Sequence, residues 1–276
     1  MQVDQIVDKV VQEILKRSES QKEEVKAPVN TSCGITEKEE VKAPVNTSCG
    51  ITEFVGTAIG DTIGLVIANV DSALHEKMNI DKKYRSIGII GSRTGAGPQI
   101  MAADEAVKAT NTEIVAIELP RDTKGGAGHG CLIIFGAEEV SDARRAVEVA
   151  LKELERTFGD VYANDAGHLE LQYTARASYA IEKAFNAPLG KAFGLIVGAP
   201  AAIGVIMSDT AVKTANVEVL AYSSPASGTS FSNEVIIAIT GDSGAVRQAV
   251  IGAREIGLKL INTLAEPAKS LTVPYI

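Results

Sequence analysis

From Phe54 to the C-terminus, short apolar runs closed by glycine alternate with stretches whose apolar residues recur at helical spacing. Residues 102–118 read AADEAVKATNTEIVAIE, and residues 207–223 read MSDTAVKTANVEVLAYS. Seven positions agree without a gap, among them Asp104 with Asp209 and Lys108 with Lys213, 105 positions apart. At the same spacing Gly136 pairs with Gly241, each closing an apolar run (LIIFG and IAITG). Around these anchors IGIIG at Ile87 matches FGLIVG at Phe193, and SDARRAVEVA at Ser141 resembles GAVRQAVIGA at Gly244.

Each copy therefore predicts one order of elements. A first strand and short helix (about 61–78 and about 168–185) precede a β-run ending in glycine. A helix with the A-V-K motif follows, then two β-runs joined by a polar loop, then a second amphipathic helix. Short strands alternating with helices imply an α/β sandwich, helices covering a sheet. The boundaries expected are 54–158 for the first domain and 159–276 for the second.

The pattern ahead of Phe54 is different. Val3, Val7, Val10 and Ile14 recur at helical spacing, with Ile6, Val11 and Leu15 beside them, and predict an amphipathic helix over 1–17. Asp4 and Asp8 suit its positive end, and Lys16 and Arg17 its negative end. So short a helix is marginal alone in water and needs a surface, either another protein or its own domain. Residues 18–53 read as a flexible linker, in which KEEVKAPVNTSCGITE occupies 22–37 and again 38–53. Perfect identity over sixteen residues marks a recent copying event, and two such copies build no core.

Composition narrows the function classes. A net charge of −8 with acids and bases interspersed argues against a nucleic-acid partner. No run of eighteen uncharged apolar residues offers a membrane span. The N-terminus lacks the order of a secretory signal, so a cytoplasmic protein is expected. The cysteines Cys33, Cys49 and Cys131 form no C-x-x-C pair, and Cys131, opening an apolar run, reads as a small buried thiol. His75, His129 and His168 lack metal-ligand spacing. No motif nominates a nucleophile, a metal or a redox cofactor, and no cofactor is expected.

Two glycine-rich segments could carry chemistry. The Gly91–Gly97 turn joins a strand to a helix, the layout that cradles phosphate, and is the basis of an alternative reading as a nucleotide-binding α/β enzyme. Its spacing is neither G-x-G-x-x-G nor that of a P-loop, so a tight turn is favoured. The second, PRDTKGGAGHG from Pro120, has SSPASGTSFSN from Ser223 as its counterpart. Arg121, Asp122, Lys124 and His129 give the first loop mixed charge, with Glu118 just ahead of it. Ser223, Ser224, Ser227, Ser230 and Asn233 give the second neutral hydrogen-bonding groups, suited to a neutral polyol. The two loops read either as solvated hairpin connections or as a polar rim contacting a small solute.

AADEAVKATNTE, SDTAVKTANVE and GDSGAVRQAV resemble the repeated motifs of bacterial microcompartment (BMC) shell domains. Two such domains, each opening with an extra strand and helix, resemble the tandem, circularly permuted members of that family, of the propanediol-utilisation type. TEFVGTAIGDTIGLVIANVDSAL and TFGDVYANDAGHLELQYTARASYA carry the likeness over about residues 52–276. The resemblance implies two permuted BMC domains, each a small, mainly antiparallel sheet covered by helices. It implies a non-enzymatic shell subunit whose homotrimers form pseudohexameric tiles beside other shell proteins. It also implies that the polar-loop residues, Glu118 included, line pores or clefts that bind or pass small polyols such as glycerol or 1,2-propanediol. Finally, it implies that the N-terminal helix, through Val3, Val7, Val10 and Ile14, docks encapsulated enzymes.

Overall fold

The computed structural model describes residues 50–120 and 130–276. The expected helix over 1–17, the linker as far as Cys49, and Arg121, Asp122, Lys124 and His129 lie outside the described residues. All described residues belong to one compact unit, Ala43–Ile276.

The first module opens with a hairpin, β1 (Phe54–Ala58) and β2 (Thr62–Ile67), where the periodicity predicts a single strand. Its turn carries Gly60 and Asp61 at φ 78° and 49°. Two consecutive left-handed residues make the mirror-image turn that matches strand twist, and Thr62 Oγ1 donates to Ile59 O at 2.8 Å to close it. Helix α1 (Ser72–Met78) starts where the Asp71 side chain accepts from Ala73 N, and stops at Asn79, φ 53°. Then come β3 (Ser86–Ser92), α2 (Gly97–Ala109), β4 (Glu113–Glu118), β5 (Cys131–Ala137) and α3 (Val140–Thr157).

The second module repeats this order. A hairpin of β6 (Val161–Asn164) and β7 (Gly167–Thr174) leads to α4 (Tyr179–Phe185), capped by Ser178 and ended by left-handed Asn186. β8 (Ala192–Ala199), α5 (Ala201–Thr214), β9 (Val217–Ser223), β10 (Val235–Gly241) and α6 (Ser243–Ile261) follow, and a short strand, β11 (Lys269–Ser270), ends the series. Sheet order is β1-β2-β3-β5-β4 in one module and β11-β6-β7-β8-β10-β9 in the other. Every pairing between these strands is antiparallel, as the resemblance implies.

Helices sit close on these sheets because glycines clear the way. A Cβ on Gly88 of β3 would stand 2.7 Å from Ala143 O of α3, and one on Gly198 of β8 would stand 2.5 Å from the Gly204 Cα of α5. The largest core cluster joins both modules: Ile100 and Met101 of α2 and Val147 and Leu154 of α3 share it with Ile181, Phe193, Leu195 and Val197. Each such side chain contributes roughly 1.5–3 kcal/mol on burial, so the modules are held together by core packing.

The chain end returns to the module junction. Buried Asp160 accepts from Tyr275 N at 2.8 Å and Ile276 N at 3.0 Å, and from Arg254 Nη1 at 2.7 Å. Among the described residues no helix is long and apolar enough to cross a membrane, and no cluster of His, Cys, Asp and Glu could hold a metal ion.

Candidate functional site

The serine-rich candidates lie in one place, the connection from β9 to β10. Ser223 ends β9, and Ser224 and Ser227 exchange backbone hydrogen bonds of 2.7 and 2.9 Å in a tight turn. Thr229 Oγ1 donates to Ser232 O at 3.1 Å and braces the next turn. Ser230 and Phe231 follow one another in left-handed conformations, φ 51° and 68°, presenting the Phe231 ring with 83% exposure. Asn233 is committed locally, since its Oδ1 accepts from Ala201 N at the start of α5. Glu118 lies elsewhere, exposed at the end of β4 on the edge of the other sheet. Cys131 is buried, as the sequence predicts, 3.2 Å from Ser92 Oγ, and burial pushes its thiol up to about 11.

A polar patch that the sequence does not disclose lies between the modules. His168 and Glu170 occupy alternate positions of β7, and Glu234 precedes β10. His168 Nε2 stands 3.4 Å from Glu234 Oε2. Glu170 is fully buried, and its Oε1 has no hydrogen-bond partner among the described residues. Burial, and next the charge of Glu234, push its carboxyl up to about 8. That carboxyl rests against Gly97, where a Cβ would collide with it. The end of the Gly91–Gly97 turn, where a bound phosphate would sit, thus already meets an acidic side chain from the other module.

Glu170 also marks how α2 is covered. Gly97, Met101, Asp104 and Lys108 line the side of α2 turned to the second module. Asp104 Oδ1 accepts from Ser178 N at 2.8 Å, and Lys108 Nζ donates to Thr174 Oγ1 at 3.3 Å. The same side of α5 carries Ala202, Ile206, Asp209 and Lys213, 105 positions on, and is exposed. Ile100 and Met101 are 1% and 2% exposed; their counterparts Val205 and Ile206 are each 46% exposed. Val212 and, on β2, Ile63 are exposed apolar residues as well. Ile63 holds the place in its hairpin that Glu170 holds in the second, each eight residues before the cap of a short helix.

Comparison with known proteins agrees with this architecture. The BMC domain family matches residues 86–165 and 192–268. A curated relative, bacterial microcompartment shell protein PduB of Citrobacter freundii, is 74% identical over 224 residues, 81% of this chain and 83% of its own. A crystal structure of a trimeric bacterial microcompartment shell protein PduB superposes with TM-score 0.78 at 58% identity, covering 82% of this chain and 100% of that one. The crystal structure of EtuB from Clostridium kluyveri gives TM-score 0.79 at 58% identity, covering 82% and 99%.

Proposed function

Because the chain belongs to the BMC-domain family of bacterial microcompartment shell proteins, we propose that three copies close into a ring of six modules, residues 54–158 and 159–276 of each, that serves as one tile of a propanediol-utilisation shell. The single observation that carries this reading is the bare side of α5. Val205, Ile206 and Val212 are exposed at positions where α2 is covered by the second module. A ring repeats one heterologous contact. The α5 of each chain would meet the β2 face of the next, around Ile63, as α2 meets β7 within a chain. The similar PduB shell protein is itself trimeric, which supports this closure.

Within such a tile the Ser223–Asn233 connection and its counterpart after Glu118 would face small polyols such as glycerol or 1,2-propanediol. Hydroxyl groups and backbone carbonyls in that loop match the donors and acceptors of a neutral polyol. The N-terminal helix, through Val3, Val7, Val10 and Ile14, would dock enzyme cargo on the shell, and other shell proteins would abut the tile edges. Deleting residues 1–49 should detach the cargo and leave tiles assembled.

Replacing Val205 and Ile206 together by aspartate tests the ring. Two charges cannot be buried unpaired in an apolar contact, so the variant should sediment as a folded monomer while the unaltered chain sediments as a trimer. A variant that stays trimeric overturns the proposed contact.

A further inference from the structure

The two modules leave a cleft of about 430 Å³ between α2, α3 and the end of β7, and no residue of the Ser223–Asn233 loop lines it. Four basic side chains line it, Lys108, Arg156, Arg176 and Arg247, against two acids, Glu105 and Glu153. In a chain of net charge −8 this local excess of bases is unusual.

Two of the four bases are already used. Lys108 Nζ lies 2.5 Å from Asp104, buried beneath the cleft, and 3.1 Å from Glu105. Arg156 lies 2.8 Å from Glu153, with its guanidinium 4.8 Å from the centre of the Tyr275 ring. Arg176 and Arg247 differ. Among the described residues neither has a carboxylate within ion-pair distance, and neither guanidinium makes a hydrogen bond. After every pairing, including Asp104, the cleft keeps a positive excess located on these two residues.

Both arginines are exposed, and the surroundings fix the elements that carry them. Thr174 Oγ1 accepts from Arg176 N at 3.4 Å and from Lys108 Nζ at 3.3 Å, fixing the backbone that carries Arg176. Tyr173 OH and Ser243 Oγ share a hydrogen bond of 2.7 Å, tying β7 to the first turn of α6, one turn ahead of Arg247. The Tyr275 hydroxyl donates to Tyr173 O at 3.2 Å and closes the floor. A guanidinium presents a planar fork of donors that fits an oxyanion bidentately. Two unpaired forks on one cleft suit a tetrahedral anion with several terminal oxygens better than a neutral polyol.

We propose that this inter-module cleft is a binding site for a small phosphate, free or as a phosphomonoester, held by Arg176 and Arg247 with Tyr173 and Thr174 at its floor. The site shares no residue with the Ser223–Asn233 loop and does not depend on how the polyols pass.

Titration of the full chain with inorganic phosphate and with methyl phosphate, at constant ionic strength, tests it by calorimetry and ³¹P line broadening. Both probes should bind in the millimolar range, and glycerol should give no signal from the cleft. Arg176→Gln and Arg247→Gln should each weaken phosphate about tenfold, the loss of one charge-assisted contact, and the pair should abolish it. Arg145→Gln, which removes a base paired with Glu148 on the outer face of α3, should leave it unchanged. Preference for methyl phosphate identifies an ester as the ligand, and preference for inorganic phosphate the free anion. Absence of binding by the unaltered chain, or unchanged binding by the double variant with unaltered circular dichroism, overturns the proposal. So does a change of oligomeric state in the double variant without phosphate binding, which would give the two arginines to a neighbouring copy.

Discussion

Helices α2 and α5 carry the same A-D/S-D and A-V-K motifs and sit at the same point of their modules, yet they live in different surroundings. On α2, Asp104 is fully buried and answers both Ser178 N and Lys108. On α5, Asp209 and Lys213 pair at 2.6 Å in the open. One copy of the duplicated helix is thus covered by the neighbouring module. In the other copy the same side is bare among the described residues of the chain. The shared Asp and Lys therefore differ in their neighbours, and the proposed ring would give α5 the cover that α2 already has.

The largest expected effect separates the two aspartates. Asp104→Ala removes a fully buried acceptor from the partly exposed Lys108 ammonium and the half-buried Ser178 N–H, and the loss of two hydrogen bonds to one charged group should cost about 3 kcal/mol in urea unfolding. Asp209→Ala should cost less than about 0.5 kcal/mol, as exposed pairs do. Equal losses would break the comparison.

Glu170 sharpens it through pH. Its carboxyl, ordinarily near 4.5, is pushed up to about 8 in the fold, so folding favours its protonated form. The stability this gives is complete below pH 4.5, falls as pH rises toward 8 and is level beyond. Glu170→Gln should flatten that slope and, after the cost of an imperfectly bonded amide, raise stability at about pH 8 by about 2 kcal/mol. No gain at the higher pH relative to the lower would show that the carboxyl is not shielded by the module contact.

The smallest effect concerns Gly97 and its counterpart Ala202. Gly97→Ala should cost about 1 kcal/mol despite the better helix propensity of alanine, because the new methyl meets Glu170. Ala202→Gly, on the uncovered helix, should cost a similar amount through propensity alone. Thermal unfolding of Gly97→Ala in a Glu170→Ala background distinguishes the two causes, since only the steric one is then relieved.

Much of this architecture is legible in the sequence. The glycine-closed apolar runs and the A-V-K helices announce two modules of one order, and their motifs point to the BMC family. The hairpins are not, because FVGTA and VYAN are too short and too small to register as separate strands. The Gly60-Asp61 turn is the available signal. Glu170 escapes for a different reason. In GHLELQYT the alternation reads as a strand with one wet face, and only the second layer laid over it turns that face into an interior. Arg176 and Arg247 lie far apart in the chain and carry no motif, so the fold alone brings them to one cleft. Of the loop candidates, the serines after β9 fall together, while Asn233 serves the start of α5.

In the proposed ring, α5 is covered by the next chain as α2 is covered by its own. Cysteines at Ala202 and Ile63, the counterparts of the touching Gly97 and Glu170, test this most directly in a chain whose Cys33 and Cys49 are replaced by serine. Mild oxidation followed by denaturing electrophoresis should give a covalent trimer, with neither single-cysteine variant doing so. A product that stays monomeric under conditions where the chain sediments as a trimer would contradict the ring.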